Sequence, residues 1–197
     1  MTVTDINSLD FSKTYSYADY LKWQFEERLE LLKGKIFKMS PAPNLSHQRT
    51  SMRLTLKFGN YFYGKKCQLF HAPFDVRLPD SQKKTGDKDV FTVVQPDLCV
   101  VCDESKLDER GCIGSPDLVV EILSPGNTNK EMSNKFRLYE EAGVREYWLV
   151  EPNDRIILIY YLKDGQYIGL KPFTDEEEAT SVIFPELKVP VAELFYT

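Results

Sequence analysis

No apolar run in the 197 residues approaches the roughly 20 needed to cross a bilayer. The first thirteen residues lack the basic-then-apolar order of an export signal. Lys and Arg together number 25 against 30 Asp and Glu, a net charge of −5, so no global basic field draws the chain to nucleic acid. That argues against a non-specific DNA coat and leaves room for a local basic groove beside an acidic site. Histidine is scarce, with two residues, and cysteine is limited to four. Cys99 and Cys102 form a CxxC, but the stretch from Leu98 to Cys102 reads as a strand, where residues three apart face opposite ways. With no second CxxC and no nearby His, zinc ligation is disfavoured. Without an export signal, the cysteines are expected to be reduced thiols in a cytoplasmic protein. There is no internal repeat and no low-complexity segment.

What is present is a folding composition, 42% hydrophobic and 13% aromatic. Length predicts one domain over 1–197, with 1–13 as a loose polar arm. Ser16 to Asp19 has capping-box spacing and opens a helix expected to run to about Glu26. Arg28 to Met39 reads as a β-hairpin turning at Lys33-Gly34. A long helix is expected over 45–63, with Leu45, Met52, Leu56 and Phe62 as its core stripe. Arg49, Arg53 and Lys57 recur along another face, either solvated or turned to phosphate. His47 lies in its first turn, to cap, to pack, or to touch phosphate or metal.

Short strands follow at 67–71 and 74–78, then a polar loop over 79–89 with Lys83 and Lys84 as a candidate substrate flap. Strands are expected at 90–94 and 97–101, and a charged loop at 103–115. A helix over 130–142 is capped by Gly143. A meander over 145–171 carries Tyr160, Tyr161 and Tyr167, which either pack in the sheet or form a dimer face.

The chemistry centres on Pro116-Asp117-Leu118-Val119-Val120-Glu121-Ile122-Leu123-Ser124-Pro125. The branched residues around Glu121 are too continuous for an exposed edge, so the strand is central. A carboxylate there must be ion-paired, protonated or ligating a cation. If the strand beginning at Asp97 pairs antiparallel with it, Asp97 and Glu121 become neighbours. Two hard carboxylates suit Mg²⁺, with Mn²⁺ as substitute. Lys135 and Tyr139, one helical turn apart, share a face. Lys135 either orients water and stabilises developing charge, or simply neutralises Glu121. Glu30, in the hairpin, is a third candidate acid or a surface residue. Metal, water and lysine together suit phosphodiester hydrolysis.

Pro96-Asp97, the 116–125 string, Lys135 to Tyr139, and Gly143-Val144-Arg145-Glu146-Tyr147-Trp148-Leu149-Val150 closely resemble the Uma-type restriction endonuclease family of the PD-(D/E)XK nuclease superfamily, over nearly the whole chain. The resemblance implies an α/β (α+β) fold with a restriction-endonuclease-like core: a mixed central β-sheet flanked by helices, an N-terminal helix and hairpin, and a C-terminal meander. It implies a Mg²⁺-dependent endonuclease acting on DNA. Asp97 and Glu121 match the family's metal ligands, Lys135 a lysine moved to the following helix, and Glu30 the hairpin acid. His47, Arg49, Arg53 and Tyr139 are the expected substrate contacts, and a homodimer is expected of a duplex cutter. Three positions depart from the pattern. Leu123 stands where the superfamily's lysine usually sits, and Glu131 and Glu151 stand where Asp is common. A non-catalytic nucleic-acid-binding or assembly protein keeping the same fold is the alternative.

Overall fold

The computed structural model describes residues 2–39, 44–80, 85–124 and 129–195. Residues 40–43, the flap lysines Lys83 and Lys84, residues 125–128 and the Glu131 side chain lie outside what is described. In chain order the hairpin is β1 (Leu29–Leu32) and β2 (Lys35–Lys38), preceded by the short helix α1 (Tyr17–Tyr20) and followed by the long helix α2 (Leu45–Phe62). Strands β3 (Gln68–His71), β4 (Val76–Arg77), β5 (Val93–Val94), β6 (Leu98–Val101), β7 (Leu107–Asp108), β8 (Gly111–Ile113) and β9 (Leu118–Ile122) lead to helix α3 (Asn129–Ala142). Strands β10 (Glu146–Glu151), β11 (Ile156–Lys163), β12 (Gln166–Gly169), β13 (Glu178–Thr180) and β14 (Lys188–Pro190) precede α4 (Val191–Phe195).

The main sheet runs β12-β11-β10-β9-β6-β3 and is mixed: β9 and β10 are parallel, the other pairs antiparallel. Helices cover both faces. Leu54, Phe58 and Phe62 of α2 pack with Leu98, Val100, Val120 and Trp148 on one face. Leu138 and Tyr139 of α3 pack with Cys99, Val101, Val119 and Tyr147 on the other. Both faces of β9 are therefore buried, as its unbroken apolar run requires. A second sheet, β2-β1-β5-β4-β8-β7, was not legible beforehand. Its β7–β8 hairpin falls in the expected loop over 103–115. Gly111 lets β8 lie against the chain entering β4: a Cβ there would sit 2.2 Å from the Asp75 carbonyl oxygen, and its φ is +122°. The hairpin turn falls at Lys33 and Gly34, both at positive φ, which suits a two-residue hairpin loop. Gln95-Pro96-Asp97 carries the chain from β5 in one sheet to β6 in the other.

Several expectations need correction. The first helix ends at Tyr20, although its cap forms as read, with Asp19 Oδ2 accepting from the Ser16 backbone N–H at 3.1 Å and hydroxyl at 2.8 Å. The N-terminal arm is not loose. Ile6 and Leu9 are buried against Leu29, and Val3 exchanges backbone hydrogen bonds with Lys22 and Gln24. In α2 the core face is His47, Thr50, Leu54, Phe58 and Phe62; Leu45, Met52 and Leu56 are more than half exposed. Burying Phe58 against Trp148 removes more apolar surface than burying Met52 would, and that decides the helix's rotation. Cys67 and Cys102 are not reduced thiols but a disulfide. They flank β3 and β6 where Gln68 pairs with Val101, so the register brings them face to face. Cys99 and Cys112 are free, buried thiols, and burial pushes Cys112 up to about 11. Tyr160 and Tyr167 pack around Phe136 and Tyr147, within the fold.

Candidate active site

The antiparallel register of β6 and β9 pairs Leu98 with Val120, and one step further sets Asp97 opposite Glu121. The expected juxtaposition forms. Asp97 Oδ2 accepts from the Ile122 backbone N–H at 2.7 Å, which fixes the carboxylate across the strand ends. His47, at the start of α2, places Nε2 3.2 Å from Asp97 Oδ1, while its Nδ1 is buried without a partner among the described residues. The Asn44 side chain caps that helix by accepting from the His47 backbone N–H at 2.8 Å.

Glu121 Oε1 accepts from Lys135 Nζ at 2.9 Å and from the Tyr139 hydroxyl at 2.6 Å, so the shared helical face works as the spacing implied. Glu30, only 5% exposed, arrives from the second sheet. Its Oε1 accepts from Lys135 Nζ at 3.0 Å and from the Gln95 backbone N–H at 2.9 Å. Lys135 therefore bridges two buried glutamates from two sheets, each through a single oxygen. Burial pushes the Glu121 carboxyl up to about 7; Asp97 and Glu30 push in the same direction, while Lys135 and the Tyr139 hydroxyl pull it down. Burial disfavours the Lys135 ammonium, but the Glu121 and Glu30 charges overcome this and hold it above the ordinary lysine range. These groups line a cavity of about 130 Å³ with Arg28, Lys38, Gln95 and Ser124.

The remaining sequence candidates stand elsewhere. Tyr139, expected against substrate, is fully buried and serves Glu121 instead. Arg53 donates from Nη1 to the Leu194 carbonyl at 2.8 Å, and Lys57 pairs with Glu193, so the supposed phosphate edge of α2 largely seats α4. Arg49 is exposed and lines a separate hollow with Arg53, Pro152 and Leu194. Sequence reasoning missed Gln95 and Arg28. The available signal was position: Gln95 lies two residues before Asp97, and Arg28 lies two before Glu30, on the same side of an extended strand.

Among the described residues no three His, Cys, Asp or Glu side chains form a ready metal cage. The donor set is instead a pair of hard carboxylates, Asp97 and Glu121, opposed at the strand ends. That set fits Mg²⁺, which commonly takes one or two carboxylates and completes its shell with water and phosphate oxygens.

A mixed sheet with a helix on each face and opposed acids at its strand ends, beside a helical lysine, defines a restriction-endonuclease-like nuclease fold. The chain belongs to the Uma2 family, described as "Putative restriction endonuclease", whose profile matches residues 17–192. It is similar to the uncharacterized protein slr1290 of Synechocystis, 29% identical over 152 residues covering 76% of this chain and 75% of that protein. Its fold is similar to the crystal structure of a "putative nuclease belonging to DUF820" from Anabaena variabilis. That match has a TM-score of 0.71 and 19% identity, covering 92% of this chain and 97% of the other. Among the described residues no helix is long and apolar enough to cross a membrane.

Proposed function

We propose that this protein is a Mg²⁺-dependent endonuclease hydrolysing DNA phosphodiester bonds, with Mn²⁺ as a working substitute. The observation that carries the reading is Asp97 set opposite Glu121 with Lys135 Nζ 2.9 Å from the latter. Asp97 and Glu121 would hold the ion, with Glu30 tuning or completing the shell. A divalent ion bound there supplies Lewis-acid polarisation of a phosphate oxygen and a bound water of lowered pKa. The chain's own groups do the rest. Lys135, held protonated, is a poor base; it orients the attacking water and stabilises negative charge developing on phosphorus as the P–O bond to the leaving sugar breaks. The Tyr139 hydroxyl fixes the Glu121 carboxylate, and His47 with the Ile122 N–H fixes Asp97. Cutting both strands of a duplex calls for two such sites, so the species that does so is proposed to be a homodimer.

Plasmid cleavage by wild type, Asp97→Asn and Glu121→Gln tests the reading. Each variant is expected to lose about 100-fold or more of the metal-dependent rate, the scale on which a single transition-state-stabilising group is felt. Equal cleavage by all three would show a contaminating nuclease and end the proposal.

The second reading is a non-catalytic nucleic-acid-binding or assembly protein. It is favoured by one observation, that Lys135 is already ion-paired with both buried glutamates. Calorimetric titration of Mn²⁺ into wild type and Glu121→Gln separates the two. Binding by wild type that disappears in the variant supports the nuclease. Absence of binding with and without a duplex supports the alternative.

A further inference from the structure

Among the described residues the acidic cavity has three flexible cations on its walls, and they are committed very differently. Lys135 is locked between Glu30 and Glu121. The Lys38 ammonium stands over the Phe11 ring, 5.2 Å from its centroid. Arg28 is exposed, and its Nη2 donates to Gln95 Oε1 at 2.7 Å. That acceptor is neutral, so it orients the guanidinium without cancelling its charge. A guanidinium carries five N–H donors in a planar fork, and this contact takes one of them.

Gln95 is itself held so that it can do nothing else. Its Nε2 donates to Asp75 Oδ1 at 2.8 Å and lies 3.3 Å from the Tyr20 hydroxyl. A carboxylate demands a donor, so the amide nitrogen must face Asp75 and the amide oxygen must face Arg28. The Gln95 backbone N–H meanwhile holds Glu30 at 2.9 Å. One residue thus sets both the hairpin acid and the arginine beside it. The Met39 backbone N–H donates to the Arg28 carbonyl at 3.0 Å, continuing the β1–β2 pairing. Arg28 and Glu30 therefore project to the same side and line the same cavity.

We propose that Arg28, positioned by Gln95, is the phosphate-binding residue of this pocket, taking non-bridging oxygens of the nucleic-acid backbone beside the acids. This rests on the nuclease reading. A polyanion approaching three carboxylates needs a fixed cation at the mouth, and a planar fork matches a phosphate's two oxygens where an ammonium offers only a point charge. Arg53 and Lys57 are tied to the last helix, and Lys135 to the glutamates. Among the described residues Arg28 is the cavity's cation that combines exposure, a fixed orientation and an intact charge.

The test is fluorescence anisotropy of a short labelled DNA duplex against wild type, Arg28→Ala and Arg28→Lys over a salt series, with Ca²⁺ present to slow cleavage, alongside Mn²⁺ calorimetry on each. Arg28→Ala is expected to weaken duplex binding about tenfold or more. It should also lower the slope of log affinity against log salt by about 0.9, one phosphate contact fewer. Arg28→Lys should keep the slope and lose part of the affinity, and Mn²⁺ binding should be unchanged in both. Wild-type affinity and slope in Arg28→Ala would overturn the inference and leave the nuclease reading standing. Loss of Mn²⁺ binding in Arg28→Ala would also overturn it, by showing that the arginine merely supports Glu30. A wild type that binds Mn²⁺ but no duplex would end both.

Discussion

At the scale of single residues, the site turns on how Glu121 is kept. Its carboxyl is raised to about 7, by burial first and by Asp97 and Glu30 next, against Lys135 and Tyr139. A group raised in the folded state binds a proton there that the unfolded chain has already released. Between the ordinary carboxyl range and about pH 7, metal-free stability should therefore fall as pH rises. Urea midpoints of wild type measured across that window should slope downward more steeply than those of Glu121→Gln. A divalent ion held there as proposed would compete with the same proton, so Mn²⁺ affinity should climb over the same range. Tyr139→Phe removes the 2.6 Å bond that favours the charged carboxylate. It should move the metal-binding midpoint to higher pH and cost about 1–3 kcal/mol of stability. An unchanged midpoint would mean the hydroxyl only fills space. The opposition of Asp97 and Glu121 was legible because an antiparallel register is counted directly from the sequence. The fates of Arg53 and Lys57 were not, since their partners lie about 140 residues away at Glu193 and Leu194. Nothing local marks two exposed-looking cations as anchors for a distant helix.

At the scale of elements, α2 separates what periodicity tells from what it leaves open. Its length and both ends were readable, but two apolar stripes compete on the same helix. Leu54, Phe58 and Phe62 won the sheet, and Leu45, Met52 and Leu56 were left on the outside. Only the far side of the core, with Trp148 5.4 Å from Phe58 at ring centroids, settles the choice. Phe58→Ala should cost about 3–5 kcal/mol, the range for emptying a buried aromatic site. Leu56→Ala should stay within about 0.5 kcal/mol, as a surface change does. Chemical denaturation of the pair checks this, and the reverse order of effects would mean the helix is rotated. The second sheet was hidden for a related reason. The strands expected at 74–78 and 90–94 contain β4 and β5. Strands of two or three residues such as β7 and β8, however, carry too little alternation to be read alone, and without them the sheet could not be assembled.

At the scale of the whole molecule, two ties hold distant parts of the chain. Glu146 is buried beneath the C-terminal segment, accepting from Trp148 Nε1 at 2.6 Å and from the Val182 and Ile183 backbone N–H groups at 2.8 and 2.9 Å. Glu146→Gln must turn an amide NH₂ towards one of these donors. It should destabilise the fold by about 1–3 kcal/mol, the cost of an unsatisfied buried group. The disulfide joins Cys67 and Cys102 across a sequence separation of 35. Reduction, or Cys102→Ser, should lower stability by about 3–4 kcal/mol on the chain-entropy account, and an unchanged denaturation midpoint in reductant would contradict that. Cysteine count alone could not show this pairing, which depends on the β3–β6 register. The bridge made by Lys135 has a different consequence. The protein carries its own counterion, tethered between two sheets and present at high effective concentration whatever the buffer contains. A soluble cation held by Asp97 and Glu121 would share Glu121 with this resident charge, so affinity for metal is set partly by the repulsion and competition of the chain's own ammonium. On the proposed nuclease reading, Lys135→Ala, assayed well above pH 7, should take up Mn²⁺ more tightly than wild type while cutting DNA less well, better at holding an ion and worse at using it.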